Sequence, residues 1–228
     1  MKIVIESLIE GSKRAKGLVV VIDVLRAFTT AAYILNNNAK KIIPVGSVED
    51  AFSLKKENPE YVLIGERHGI KIDGFDYGNS PAEVKNINFA DKTIIQTTSA
   101  GTQGVVNAKG ATEIILGSFV CLQAIANYIK KINPPLVTLV AMGESGRDKA
   151  DEDELCARAI KDLLLGNTAD FAEIKNHLKD SKSALKFFDI SKSEFNEEDF
   201  HLAMDFNRFN FVLKVHKQEN LLYVTKEM

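Results

Sequence analysis

The chain has 228 residues, of which 45% are hydrophobic and 26% are charged, as is typical of a globular protein with a sizeable core. Its 29 basic and 31 acidic residues give a formal net charge of −2, which argues against a broad basic surface for nucleic acid or an anionic membrane. Cys121 and Cys156 belong to no C-x-x-C pair, which excludes a zinc knuckle and a disulfide framework.

Membrane association and secretion are not indicated by the sequence. Glu6 and Glu10 interrupt the apolar run at the amino terminus, and an uncharged apolar stretch of about 18 residues does not occur. We therefore expect a cytoplasmic protein with reduced cysteines and with neither a membrane nor a nucleic-acid partner. A homodimer is compatible with the sequence, which does not fix the oligomeric state.

Short β-branched runs along the chain predict the strands of one sheet. Each run is followed by Gly, Ser, Thr or Asp and then by a segment of helical spacing or composition. Such strands, alternating with helices, predict an α/β fold with a mostly parallel or mixed sheet and helices on both faces. In chain order the runs are Ile3–Ile5, Val19–Ile22, Ile42–Ile43, Val62–Ile64, Ile94–Ile95, Ile114–Leu116 and Val137–Val140.

Helical spacing appears over Phe28–Leu35, Val120–Ile132 and Leu155–Leu165. Residues 19–47 and 94–118 share a faint pattern of strand, polar turn, helix and second strand that ends in Gly-Ser. The pattern suggests two pseudo-repeated β-α-β halves. The alternative without duplication stays open, because any two such units look alike.

The amino-acid composition changes after about residue 166. The segments that follow are rich in Lys, Asp, Glu and Asn and have amphipathic spacing, which predicts packed helices with solvated charged faces. Two alternating runs around Gln218–Asn220 predict a closing β-hairpin. Because a low-complexity linker is missing, we predict a single compact domain over 1–228, with a catalytic core at about 19–165 and a helical and hairpin part at 166–228.

Polar residues gather where the predicted strands end. Asp23 and Arg26 follow the second run, Glu66 and Arg67 follow the fourth, and polar turns begin at Thr97 and Gly143. A single Asp or Thr in such a place is commonly a helix cap. Because ligands of open α/β sheets bind beyond the carboxyl ends of the strands, the agreement of four ends favours a shared site.

Three loops offer chemistry beyond capping. "TTSAGTQG" (97–104) presents hydroxyls and amides that suit phosphate or sulfonate, although Ser/Thr/Gly turns are common. Asn79 and Ser80 precede Pro81 and form a helix start whose amides also suit a ligand. The acidic cluster 151–154 complements a helix dipole or, if two carboxylates turn inward, suits magnesium. Walker and dinucleotide glycine loops do not occur in the sequence.

Five segments, in this order, resemble the 2-phosphosulfolactate phosphatase family: "DVLRAFTT", "GERHGIKIDGFDYGNSPAEV", "TTSAGT", "GSFVCLQAIA" and "ADEDELCARAI". The resemblance covers about residues 19–160. It implies a magnesium-dependent α/β phosphoric monoester hydrolase that converts (R)-2-phospho-3-sulfolactate, a small polyanionic organic phosphate, into (R)-3-sulfolactate and phosphate. The resemblance further implies that this reaction is a step of coenzyme M biosynthesis or of related sulfolactate metabolism.

The resemblance also implies roles for residues of this chain. We expect Asp23, Arg26, Glu66 and Arg67 to be catalytic and Asp23, Glu152 and Asp153 to hold Mg²⁺. The expected substrate-binding residues are Asn79, Ser80, Thr97, Thr98, Ser99, Gly101 and Thr102.

Several alternatives stay open at this point. Water activated by Asp23 or Glu66 is the preferred nucleophile, and a covalent phosphoenzyme is the alternative. For the function as a whole, the alternatives are a magnesium-dependent phosphatase for another small phosphorylated hydroxy acid and a non-catalytic protein that binds an organic phosphate.

Overall fold

The computed structural model describes residues 1–219 and 221–228, which form ten strands and ten helices. The strands are β1 (Lys2–Ser7), β2 (Gly17–Ile22), β3 (Lys41–Pro44), β4 (Val62–Arg67), β5 (Ile70–Lys71), β6 (Thr93–Thr97), β7 (Ala111–Gly117), β8 (Leu136–Ala141), β9 (Val212–Gln218) and β10 (Leu221–Glu227). The helices are α1 (Leu8–Arg14), α2 (Ala27–Asn36), α3 (Val48–Glu57), α4 (Pro81–Val84), α5 (Gly101–Asn107), α6 (Leu122–Ile132), α7 (Asp151–Leu165), α8 (Phe171–Lys179), α9 (Lys182–Leu185) and α10 (Glu197–Ala203). A 3-10 turn, Phe119–Cys121, precedes α6.

The strands form one mixed sheet in the order β1-β8-β2-β7-β9-β10-β3-β6-β4-β5. Two parallel groups, β1-β8-β2-β7 and β3-β6-β4, are joined by the antiparallel hairpin of β9 and β10. Every predicted apolar run lies in a strand, so the prediction of an α/β fold with a mostly parallel or mixed sheet is confirmed. The predicted hairpin is also present as β9 and β10; Asn220, which the prediction includes, lies outside the described residues.

The hairpin reverses the strand direction between the two parallel groups. Val215 of β9 pairs antiparallel with Ile114 of β7, and Val224 of β10 pairs antiparallel with Ile42 of β3. In a flat sheet the carboxyl ends of the two groups would therefore lie at opposite edges. Sheets twist by about 20–25° per strand pair, so the groups cross at an angle, and residues that follow β2, β4 and β6 line one cavity.

Helices cover both faces of the sheet. The apolar run of β2 is fully buried, as expected for a strand that is covered on both sides. Helix α6 buries Leu122, Ile125, Ala126 and Ile129, which form one stripe along the helix. A smaller cluster on the strands of the second parallel group includes Ala51 of α3.

The two segments with the shared pattern form β2-α2-β3 and β6-α5-β7. Each unit connects one parallel group to the other, in opposite directions along the sheet; their origin by duplication stays a prediction. The amphipathic segments after residue 166 form α8, α9 and α10. Among the described residues, the search for helices long and apolar enough to span a membrane finds none.

Candidate active site

A cavity of about 110 Å³ opens where the carboxyl ends of β2, β4, β6 and β8 meet. The first turn of α7 and the segment after α9 complete its walls. Of the residues that the sequence predicts for the site, those that line the cavity are Asp23, Arg26, Glu66, Asn79, Ser99 and Glu152. The strand ends thus bring these side chains together, and their chemical roles stay predictions.

Asp23 follows β2 directly and is 6% exposed. Its Oδ1 accepts a hydrogen bond from the Ala27 amide at 3.0 Å, so the carboxylate caps the first turn of α2. Gly101 leaves room for it, since a Cβ there would lie 2.8 Å from Asp23 Oδ2 and 2.7 Å from Ala27 Cβ. Burial, with a smaller effect of the negative charges of Glu66 and Glu152, raises the pKa of Asp23 to about 7.

The first turn of α7 contributes two buried carboxylates with different surroundings. Glu152 lines the cavity and accepts a hydrogen bond from the Ser183 hydroxyl. Asp153 lies behind the cavity wall, where Oδ1 accepts from the Val24 amide and Oδ2 from the Gly143 amide, each at 2.8 Å. Burial raises the pKa of both carboxyls. Asp153 therefore joins the loops that follow β2 and β8, whereas Glu152 faces the ligand space.

Glu66 is hydrogen-bonded through both carboxylate oxygens. Oε1 accepts from the Ser99 amide at 2.7 Å, and Oε2 accepts from the Gly69 amide at 2.7 Å and the Ser99 hydroxyl at 3.0 Å. Ser99 Oγ in turn accepts from the His68 amide at 3.0 Å. Gly69 has a φ of +84°, and a Cβ there would lie 2.2 Å from the Phe195 ring. Glu66 thus holds the loop after β4 against the loop after β6.

Arg26 has a buried guanidinium whose two terminal nitrogens both donate to protein acceptors. Nη1 donates to the Asp199 carboxylate at 2.8 Å and the Glu194 carbonyl at 3.0 Å, and Nη2 donates to the Gly69 carbonyl at 2.9 Å. The side chains of Arg26 and Asp199 are 4% and 0% exposed. Arg26 lines the cavity and also ties the loop after β2 to the carboxyl-terminal helices.

Asp199 also holds the loop that contains Asn79 and Ser80. Its Oδ1 accepts from the Ser80 hydroxyl at 2.6 Å and from the Ala82 amide at 2.9 Å, while Ser80 caps α4 as the sequence predicts. Asn79 is 5% exposed, and within the described part of the chain its Oδ1 has no hydrogen-bond partner. A buried carbonyl oxygen without a partner, in a residue that lines a cavity, marks a position that a ligand can satisfy.

The remaining predicted residues organise the shell behind the cavity. Arg67 Nη2 donates to Thr97 Oγ1 at 2.8 Å. The Thr98 amide donates to the Thr102 hydroxyl at 2.8 Å, and the Thr102 amide donates to the Thr98 hydroxyl at 3.1 Å. These bonds fix the turn that places Gly101 beside Asp23. None of these residues lines the cavity, and their expected contacts with substrate stay predictions.

The sequence analysis missed four residues of the carboxyl-terminal part. Ser183, Lys186 and Phe195 line the cavity, and Asp199 holds its wall. They lie in segments whose composition indicates solvated helices, and none of them belongs to a recognisable motif. Ser181, the cap of α9, is a local signal for the helix but gives no information about the cavity.

The cavity offers hard oxygen ligands of the kind that Mg²⁺ prefers. Asp23 and Glu152 supply carboxylates, and Asn79 supplies an amide oxygen to which no described residue donates a hydrogen bond. Asp153 fits the role of ligand poorly, because both of its oxygens accept backbone hydrogen bonds. Within the described residues, clusters of three or more His, Cys, Asp or Glu arranged for a metal are absent, so a cation here would take further ligands from water and substrate.

The fold and the cavity define an α/β protein with a small, polar, carboxylate-rich cavity, a candidate active site, at its strand ends. The family model described as 2-phosphosulpholactate phosphatase matches residues 3–218. The chain belongs to the 2-phosphosulfolactate phosphatase family, whose members are phosphoric monoester hydrolases, and this confirms the resemblance seen in the sequence.

Curated relatives agree with the family match. A "Probable 2-phosphosulfolactate phosphatase" of Bacillus subtilis (strain 168) is 37% identical over 199 residues, which cover 86% of each chain. A relative of the same name from Clostridium perfringens (strain SM101 / Type A) is 34% identical over 224 residues, which cover 91% of this chain and 90% of the relative.

Proposed function

We propose that the chain hydrolyses (R)-2-phospho-3-sulfolactate to (R)-3-sulfolactate and inorganic phosphate, with Mg²⁺ as cofactor. The observation that carries the proposal is the convergence of Asp23, Glu152 and the unpartnered Asn79 oxygen on one cavity of a chain in this family. The names of the relatives from Bacillus subtilis and Clostridium perfringens support the same substrate.

The charges around the cavity support a need for a cation. The substrate carries phosphate, carboxylate and sulfonate, while the floor of the cavity carries the acids Asp23 and Glu152. Mg²⁺ bound by these two side chains and Asn79 Oδ1 would neutralise the phosphoryl oxygens and the charge that develops on the leaving oxygen. The three side chains are held in place by α2, by α7 and by the loop before α4.

Asp23 is the best-supported general base. Its carboxylate faces the cavity, and the Ala27 amide holds Oδ1 in place, so the side chain is positioned to accept a proton from a water molecule in the cavity. Glu66, the other candidate, has both oxygens engaged by Ser99 and Gly69. The water oxygen forms a bond to phosphorus as the bond from phosphorus to the ester oxygen breaks. Asp23 accepts a proton from the attacking water, the leaving oxygen takes up a proton from solvent water, and Asp23 returns its proton to solvent after the reaction.

Phosphate release by the purified chain tests the proposal. We expect the highest kcat/KM for (R)-2-phospho-3-sulfolactate in a panel that also contains 2-phospholactate and phosphoglycolate. Chelation of Mg²⁺ is expected to abolish turnover, and added Mg²⁺ to restore it. A higher kcat/KM for another compound of the panel would assign a different hydroxy acid. Tight binding in calorimetry without phosphate release would instead indicate a non-catalytic binding protein.

A further inference from the structure

Lys186 is a cation at the mouth of the cavity that the proposed hydrolysis does not use. Its Nζ lies 3.2 Å from Glu144 Oε1 and 4.9 Å from the centroid of the Phe195 ring. The side chains of Lys186 and Glu144 are 19% and 49% exposed, whereas Asp23 and Glu152 are 6% and 4% exposed. Lys186 therefore lies nearer to solvent than Asp23 and Glu152, so the cavity has an acidic floor and a rim at which Lys186 pairs with Glu144.

The two arginines near the cavity are less available to a ligand than Lys186. Arg26 donates through both terminal nitrogens to buried or backbone acceptors, among them Asp199. Arg67 lies behind the wall and donates to Thr97. Lys186 has three N–H donors and one partly exposed carboxylate partner, and such pairs are weak. A ligand anion can therefore recruit the Lys186 ammonium at little cost.

The constitution of the substrate determines how far its carboxylate and its sulfonate extend from the phosphate. The phosphate oxygen and the carboxylate carbon are both attached to C2, so a phosphate at the floor keeps the carboxylate close to it. The sulfonate is attached to C3, and its oxygens are one bond further from C2 than the carboxylate oxygens. With the phosphate beside Asp23 and Glu152, the sulfonate is therefore the group with the longer reach towards the rim, where Lys186 lies.

We propose that Lys186 is a specificity-determining residue that binds the sulfonate of the substrate. The inference rests on the proposed function, which places the phosphate at the floor of the cavity. Phe195 packs beside the Lys186 ammonium, and Glu144 pairs with it. On this assignment the strand ends supply the chemistry, and the segment after α9 selects the sulfonated substrate.

Substitution of Lys186 tests the assignment through a ratio of two substrates. Lys186→Met removes the ammonium group and keeps an unbranched side chain. We expect the ratio of kcat/KM for phosphosulfolactate to kcat/KM for 2-phospholactate to fall by about 10- to 100-fold, the usual loss for a hydrogen bond to a charged group. The loss is expected mainly in KM, because the sulfonate contact is the same in the ground and transition states. Lys186→Arg, which keeps the charge, is expected to retain most of the preference.

Lys182→Met is the matched control, because Lys182 lies on α9 and is exposed. We expect its substrate ratio to equal that of the wild-type chain. An unchanged ratio in Lys186→Met would overturn the assignment, as would an equal loss for both substrates, which would indicate a contact with the phosphate or the carboxylate. Thermal melting of each variant checks that the fold is retained.

Calorimetry separates a failure of the inference from a failure of the proposed function. The product 3-sulfolactate is titrated into the wild-type chain and into Lys186→Met, with lactate as the comparison. Weaker binding of sulfolactate by about tenfold or more in the variant, with little change for lactate, supports the sulfonate contact even if phosphate release is not detected. Equal binding of sulfolactate by both proteins would overturn the contact even if phosphate is released.

Discussion

Asp23 makes two opposite contributions to the stability of the folded chain. Its Oδ1 caps α2 through the Ala27 amide, which stabilises the fold, while burial makes its negative charge costly and raises its pKa to about 7. A neutral residue that keeps the cap would therefore suit the folded chain better than the aspartate does. A buried charge that lowers the stability of the fold in this way is typical of a functional residue.

Asp23→Asn is expected to abolish turnover and leave the fold intact. The Asn amide oxygen still accepts the Ala27 hydrogen bond, but the side chain cannot take up a proton from water. General-base help is worth about 10²- to 10⁴-fold, and loss of a metal ligand would add to this. Phosphate release and circular dichroism measure the two outcomes, with the exposed Asp151→Asn as the matched control. Near-normal turnover in Asp23→Asn would contradict the assigned role.

At the scale of elements, helix α10 stabilises the cavity wall, because its Asp199 is hydrogen-bonded to the loop after β2 and to the loop before α4. Asp199 is fully buried and holds Arg26, which lies 173 positions earlier in the chain, together with the loop before α4. A buried ion pair adds little net stability, but removal of one partner leaves the other charge uncompensated. The position of α10 therefore depends on both members of the pair.

Asp199→Ala is expected to destabilise the chain by about 3–5 kcal/mol, because the Arg26 guanidinium is then buried without a carboxylate. The midpoint of urea unfolding measures the loss. Glu197→Ala on the same helix is the control, since its side chain is 62% exposed, and we expect a change within about 0.5 kcal/mol. Arg26→Met combined with Asp199→Leu is expected to recover part of the loss, since neither charge is then left unpaired. Equal midpoints for Asp199→Ala and Glu197→Ala would contradict this account.

At the scale of the molecule, local patterns predict the elements but not their order across the sheet. The apolar run of β2 identifies a covered strand because burial on both faces requires it, and "DVLRAFTT" places Asp23 and Arg26 at its end. The insertion of the hairpin between the two parallel groups depends on pairings such as Val224 with Ile42, which connect distant parts of the chain. The acids of the cavity floor follow local patterns and are predicted from the sequence. Lys186 and Asp199 reach the cavity through contacts between distant parts of the chain, so the sequence misses them.

The buried carboxylates also determine how the whole chain responds to pH. The pKa of Asp23 rises from 3.8 to about 7 on folding, and burial raises the pKa of Glu152 and of Asp153 as well. The folded chain thus binds more protons than the unfolded chain between these values, so the free energy of unfolding falls as pH rises. The contribution of Asp23 is fully present below about pH 3.8 and is lost as pH rises through about 7.

We expect the metal-free chain to lose about 2–3 kcal/mol of unfolding free energy between pH 5 and pH 8, since one pKa unit corresponds to about 1.4 kcal/mol. Urea unfolding in a chelator at several pH values measures the loss. Asp23→Asn is expected to flatten the profile, because it removes the group with the pKa near 7. Added Mg²⁺ is expected to raise the stability at pH 8 more than at pH 5, since it binds ionised carboxylates of the folded chain. A stability that increases towards pH 8 in chelator would contradict the buried, proton-binding floor of the cavity.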